Sequence, residues 1–257
     1  MRITIVQADL VWENADANLD HFHELLKNHG SETDLVVLPE MFNTGFTMNA
    51  AGVAEKMNGK TVKWMQDFAS AEGIAITGSL IIEENKRYYN RMVFAAPGAV
   101  LYHYDKSHLF RMEKETSYFE KGSRQVIVPY MGFNINLQIC YDLRFPVWSR
   151  NVANSYDLMI NVASWPAARR KVWSALLTAR AIENQCYHVG VNRVGTDGEG
   201  ISYTGDSQII GPKGDILLET TASKEEVVTA EISLEYLQAF RKKFPVWQDA
   251  DSFRLMP

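Results

Sequence analysis

Three residues stand at the ends of apolar, strand-like runs: Glu40 closes "DLVVLPE", Lys106 follows "AVLYHYD", and Cys140 ends "INLQIC". A carboxylate, an amine and a thiol converging from strand ends form a plausible catalytic set, in which the carboxylate could act as general base and the thiol as nucleophile. Taken singly, each has a plainer reading: a solvated loop glutamate, a surface lysine, a small buried hydrophobe. Glu40 gains from its setting in "LPEMFNTGF", whose apolar and aromatic neighbours limit the hydration of a base. Cys140 gains from the polar "YDLRFP" that follows it. A tight turn beginning at Tyr141-Asp142 would present unpaired backbone N–H groups, which lower a thiol pKa and receive an oxyanion. Cys186, in "ENQCYHVGV", lies where a helix hands over to a strand and is expected to be structural.

A Cys–His site is the competing chemistry, with His103, His108 or His188 as base. His108 is the best placed, yet it lies two residues after Lys106, and no partner carboxylate or asparagine is evident. A metal site has less support. The "HFH" at 21–23 falls on a helix, where residues two apart face different ways, and there is no C-x-x-C or H-x-x-x-H. The glycines of "GTDGEG" and "GPKGD" follow no phosphate-loop spacing and read as turns.

The elements that must carry these residues alternate along the chain. "RITIVQADL" reads as a strand. Asn14 or Asp16 then caps a helix with apolar positions Leu19, Phe22, Leu25 and Leu26, running to a stop at Gly30. "DLVVLPE" has the nearly all-apolar character of a strand buried on both faces. A helix around Val62, Met65, Phe68 and Ala69 ends at Gly73, and "IAITGSLIIEE" follows as a strand. "YNRMVFAAPGAVLYHYDK" and "QVIVPYMGFNINLQIC" read as hairpins about Pro-Gly and Met-Gly turns. "DLMINVAS" is a strand, "VWSALLTARAIENQ" a helix and "YHVGVNRVG" a strand. The hairpin "SQIIGPKGDILLET", the strand "EEVVTAEIS" and a helix over "LEYLQAFRKKFPVW" complete the chain. About ten strands or more in a single domain, residues 1–257, predict an α/β fold with a mixed sheet. So many strands suggest two stacked sheets with helices outside, though pattern alone does not choose that over a single large sheet.

Composition narrows the function classes. Apolar residues make up 46% and charged residues 22% of 257, and the net charge of −5 is spread without a single-sign run. Nothing there points to nucleic acid or to an anionic membrane, and no apolar stretch reaches the length of a membrane span. The N-terminus lacks the apolar core and cleavage site of a signal peptide. With only two cysteines, a reduced cytoplasmic protein is expected.

"LVVLPEMF", "YDKSHLF" and "ICYDLRFP", in that order, resemble the nitrilase or carbon–nitrogen hydrolase superfamily. The resemblance extends from "ITIVQADLVWENADANL" through "NVASWP" and "LLTARAIENQCYHVGVNRVG" to "GDSQIIGPKGDIL". "CYDLRFPVWSRN" and "ARAIENQCY" look most like the bacterial omega-amidase branch, which hydrolyses 2-oxoglutaramate and 2-oxosuccinamate. The resemblance implies a four-layer αββα sandwich, a homodimer, a small-molecule amide substrate, and no metal or organic cofactor. It implies Glu40, Lys106 and Cys140 as a catalytic triad, with Glu115 as a second glutamate beside the nearby Glu113. The Tyr141 backbone N–H and Lys106 would then form the oxyanion hole. A 2-oxo acid amide carries a carboxylate, for which Arg144 is the first candidate and Arg169 and Arg170 the alternatives. Phe46, Phe110 and Trp165 would line the pocket. An amidase or N-carbamoyl hydrolase of other specificity is the nearest alternative. A catalytically silent binding or assembly relative is a further one, against which the intact Glu-Lys-Cys set speaks.

Overall fold

A computed structural model describes residues 1–27 and 32–255. The β-branched N-terminal run forms β1 (Arg2–Gln7), and α1 (Ala15–Leu26) follows. Of the two candidate caps, Asn14 is used: its side chain accepts from the Ala17 N–H at 3.1 Å, satisfying one donor that a helix start leaves unpaired. The expected stop at Gly30 lies outside the described residues. β2 (Leu35–Val37) is only three residues long. Pro39 has no N–H to extend the ladder, so the chain turns there. After α2 (Ala50–Val53), α3 (Lys60–Glu72) ends at Gly73 with φ of +70°.

β3 (Ala75–Glu84) and β4 (Arg87–Ala96) form a long hairpin that the turn residues did not announce. Asn85 and Lys86 both take positive φ there without a glycine. β5 (Val100–Asp105) pairs back onto β4. β6 (Ile127–Tyr130) and β7 (Phe133–Ile139) form the expected hairpin about Met131-Gly132. Next come α4 (Pro146–Ser149), β8 (Leu158–Ala163), α5 (Arg170–Asn184) and β9 (Tyr187–Asn192). The strand expected to run through "RVG" breaks at Arg193. Beyond it, β10 (Val194–Thr196) and β11 (Ser202–Thr204) form a separate ribbon, so "GTDGEG" is a hairpin loop. β12 (Gln208–Ile210), β13 (Ile216–Glu219), β14 (Glu226–Glu231) and α6 (Leu234–Lys243) follow.

Two six-stranded sheets result, ordered β14-β1-β2-β3-β4-β5 and β13-β12-β9-β8-β7-β6. Each has three parallel central strands, β1-β2-β3 and β7-β8-β9, flanked by antiparallel neighbours. Their inner faces share one apolar cluster, with Ile5, Val37 and Phe94 from the first sheet and Leu137, Ile160 and Val189 from the second. Outside the first sheet, Phe22 of α1 and Val62 and Met65 of α3 cover Val36 and Ile76. Outside the second, Trp173, Leu177 and Ala181 of α5 cover Ala163 and Ile210. Each fully buried Val, Leu, Ile, Phe or Met among them contributes about 1.5–3 kcal/mol of transfer free energy. The layers are therefore helix, sheet, sheet, helix, the sandwich expected.

Candidate active site

Glu40 stands three residues past β2, on a turn fastened to β3. The Met41 N–H donates to Ser79 Oγ at 2.9 Å and the Phe42 N–H to the Ser79 carbonyl at 3.0 Å. Gly78 lets that turn lie flat on the sheet: a Cβ there would come within 2.9 Å of both Leu38 and Phe42. Lys106 follows β5 directly, its N–H donating to the Asn90 carbonyl at 3.0 Å.

Cys140 opens a tight 3₁₀ turn, Cys140–Arg144, straight out of β7, and its φ is +45°. A left-handed backbone at a residue with a Cβ costs about 1–2 kcal/mol, and it presents the thiol on an elbow. Asp142 holds the elbow. Its Oδ2 accepts from the Ile139 N–H at 3.0 Å and the Tyr104 hydroxyl at 2.7 Å. Its Oδ1 accepts from the His108 N–H at 2.9 Å and lies 2.7 Å from His108 Nδ1. The loop carrying Lys106 and the turn carrying Cys140 are thereby tied through one fully buried carboxylate.

His108 does have a carboxylate partner, Asp142, but none of the histidines among the described residues lines the pocket onto which Cys140 opens. His108 is taken up by Asp142 and stacks on Phe145 at 3.7 Å, His103 is exposed on edge strand β5, and His188 is buried against α5. His21 of "HFH" lies 2.8 Å from Glu225. Among the described residues, no group of three His, Cys, Asp or Glu side chains converges as a metal-binding cluster.

The strand ends converge instead on a buried charge centre. Lys106 Nζ donates to Glu40 Oε1 at 2.8 Å and to both Glu115 oxygens, at 2.9 and 3.0 Å. Glu40 and Glu115 are 0% exposed and Lys106 is 1%. Glu40 Oε2 accepts from the Ser164 N–H at 2.8 Å, beyond the end of β8. Asn90 Nδ2 donates to Glu40 Oε1 at 2.7 Å and to Glu115 Oε1 at 3.3 Å. Glu115 also accepts from the Phe110 N–H. Burial by itself would lower the Lys106 ammonium, but Glu115, Glu40 and Cys140 outweigh it and raise it, so the amine stays charged. Burial raises the Glu115 carboxyl despite Lys106. Glu113 is exposed at the pocket, so the buried partner of Lys106 is Glu115.

The expectation of a lowered thiol pKa at Cys140 is overturned. Although Cys140 opens onto the pocket, burial and then the charge of the nearby Glu40 carboxylate push the thiol well above its ordinary value. Lys106 opposes this without reversing it. The turn's backbone N–H groups are a weaker influence than a carboxylate in contact within a desolvated site.

The pocket holds about 440 Å³ of empty space, mouth included, and is lined by Phe46, Phe110, Tyr141, Trp165 and Tyr203 together with Cys140 and Lys106. Arg144 and Arg169 also line it, stacked over Trp165 (5.0 Å) and Phe110 (5.3 Å). Neither has an ion-pair partner among the described residues. Arg170 points elsewhere, paired with Asp206. Sequence reasoning missed Asn90, Asp142, Ser164 and Tyr203. An asparagine inside a strand run was the available signal for the first; Tyr203 was hidden by the unread β10-β11 ribbon.

Residues 2–242 match the family described as carbon-nitrogen hydrolase. The chain is 46% identical to the omega-amidase YafV of Escherichia coli strain K12, covering 99% of this chain and 98% of that one. It is 32% identical to the 2-oxoglutaramate amidase of Bacillus subtilis, covering 96% of each. It superposes with a TM-score of 0.97 on a CN-hydrolase superfamily protein of Xanthomonas campestris, solved with an arsenic adduct in its active site; the two are 41% identical, over 100% and 99% of the chains. A mutant of the amidase from Nesterenkonia sp. AN1, solved after Michael addition of acrylamide at its active-site cysteine, gives 0.84 at 25% identity, over 95% and 98%.

Proposed function

The chain belongs to the carbon–nitrogen hydrolase family, and on that premise we propose that it is a thiol-dependent omega-amidase. It hydrolyses the terminal amide of small 2-oxo acids such as 2-oxoglutaramate and 2-oxosuccinamate to the dicarboxylate and ammonia. The observation that carries this reading is one pocket lined by Cys140 and Lys106, in contact with Glu40, and furnished with two arginines that have no carboxylate partner among the described residues.

The chemistry follows from the contacts. With its pKa held high, the thiol is protonated at rest and loses its proton to Glu40 only as Sγ attacks the amide carbonyl. Two of the three Lys106 hydrogens go to Glu40 and, forked, to Glu115. The third is available to the oxyanion, together with the Tyr141 backbone N–H. Glu40 passes the proton to the leaving nitrogen, the C–N bond breaks, and ammonia departs from a thioester. A water deprotonated by Glu40 then attacks the thioester, and the proton returns to the thiolate as the acid leaves. Glu115 keeps Lys106 in place. Arg144 and Arg169 grip the substrate carboxylate while Phe46, Phe110 and Trp165 enclose the carbon chain.

The enzyme works as a cytoplasmic homodimer on this reading. Its two cysteines are both free, and no helix among the described residues is long and apolar enough to cross a membrane. The test is ammonia release from a panel of 2-oxoglutaramate, 2-oxosuccinamate, N-carbamoyl-β-alanine and a simple nitrile. Turnover concentrated on the first two is expected; preference for the carbamoyl compound or the nitrile would transfer the protein to another specificity in the family.

A further inference from the structure

We propose that Asn90 is a positioning residue of this site, its side-chain NH2 holding the Glu40 and Glu115 carboxylates in the arrangement from which Glu40 takes the thiol proton. The inference rests on the assignment of Glu40 as base.

Asn90 lies within β4, opposite Ile81 of β3, on the strand face that continues into the inner core through Met92 and Phe94. An apolar side chain would continue that face, yet a fully buried amide stands there. Its Nδ2 reaches Glu40 Oε1 at 2.7 Å and Glu115 Oε1 at 3.3 Å. Both neighbours are carboxylates that accept, so the NH2 end must face them. Asn90 Oδ1 receives no donor from the described residues. What fixes the amide is therefore its NH2 end, which is the end aimed at the reacting groups.

The consequence for Glu40 is geometric. Its Oε1 receives Lys106 and Asn90, and its Oε2 receives the Ser164 N–H, so the carboxylate plane is fixed from three sides. Facing this cluster are Lys106 after β5, Glu115 on the following loop, Cys140 after β7 and Tyr203 of β11. Arg91, next along β4, is taken up by Asp105 and Glu84. Without Asn90, only Lys106 would bridge the two carboxylates, and their repulsion would splay them. A neutral donor does this without adding a second cation that would compete with Lys106 for the oxyanion.

The test uses the full chain with Asn90→Ala, Asn90→Ser and the isosteric Asn90→Asp, melting each variant in parallel. Two readouts are taken: kcat and KM on an amide the wild type hydrolyses, and the rate of Cys140 alkylation by iodoacetamide. The Ala and Asp variants should lose about a hundredfold in kcat, with KM within about threefold. In Asn90→Ala the rate of Cys140 alkylation should fall in step with kcat, because the base that takes the thiol proton is no longer held toward it. Asn90→Ser, whose hydroxyl can donate, should recover part of the loss. Near-normal kcat in Asn90→Asp, an unchanged Cys140 alkylation rate in Asn90→Ala, or a kcat loss explained by the unfolded fraction would each overturn the inference. Should the wild type hydrolyse none of the 2-oxo acid amides while Cys140 alkylation still slows in Asn90→Ala, the substrate reading falls and the role of Asn90 stands.

Discussion

Cys140 and Cys186 are both free thiols, and burial raises both. Cys186, pushed up to about 12, packs against Tyr156 and Met159 where α5 hands over to β9; its charged neighbours Arg241, Asp157 and Glu183 act only at a distance. Cys140 faces both Glu40 and Lys106 and opens onto a pocket from an elbow with positive φ. A raised pKa therefore does not separate an inert thiol from a nucleophile. The separation lies in a base in contact, a cation for the product charge, and access for substrate.

The largest effect expected from that comparison is at the thiols themselves. Cys140→Ala should lower amide turnover at least about 10⁴-fold without altering the fold. Cys186→Ala should keep turnover within about twofold and destabilise by about 1 kcal/mol. Equal activity losses in two folded variants would erase the distinction.

Next is the base. Glu40→Gln should reduce kcat about 10³-fold, whereas His108→Ala, which only loosens Asp142, should cost about tenfold. If steady-state kinetics reverse that order, the base is a histidine.

The Cys186 side of the molecule has a titrating group of its own. His188 lies buried under α5 between the Leu177 carbonyl (Nδ1, 2.9 Å) and the Asn161 side chain (Nε2, 2.8 Å), and burial lowers its pKa to about 4. It is neutral in the fold: Nδ1–H donates to the Leu177 carbonyl, and the Asn161 amide is turned so that its otherwise unpartnered NH2 donates to Nε2. In the unfolded chain the imidazole protonates near the ordinary histidine value of about 6.5. Its contribution is thus complete above that pH and is lost as pH falls toward 4, to a total of about 3 kcal/mol. Denaturant titrations from pH 7 to 4 should show the loss, and His188→Gln should flatten it; an unchanged slope would remove His188 as its source.

The smallest effect concerns specificity beside Cys140. Arg144→Ala and Arg169→Ala should each raise KM for carboxylate-bearing amides about tenfold or more, leaving neutral amides within about twofold. Equal losses on both substrate kinds would make the arginines structural.

Much of this was legible in the sequence. Alternation and turn residues placed most strands and helices, because burial on one face imposes a period that survives in one dimension. They failed at Asn85-Lys86, where positive φ is taken without a glycine pair, and at Arg193, where the expected strand breaks and a short ribbon begins. The reactive types at strand ends, and a turn directly after Cys140, were likewise visible. The tertiary structure alone decided which groups meet. Glu40 and Lys106 are 66 positions apart, and Glu40 and Ser164 are 124 apart. It also selected Glu115 over Glu113, gave His108 to Asp142 and brought in Asn90. Even the direction of the Cys140 shift was hidden, since a pKa sums desolvation and every nearby charge over three dimensions, and a sequence gives neither burial nor distance.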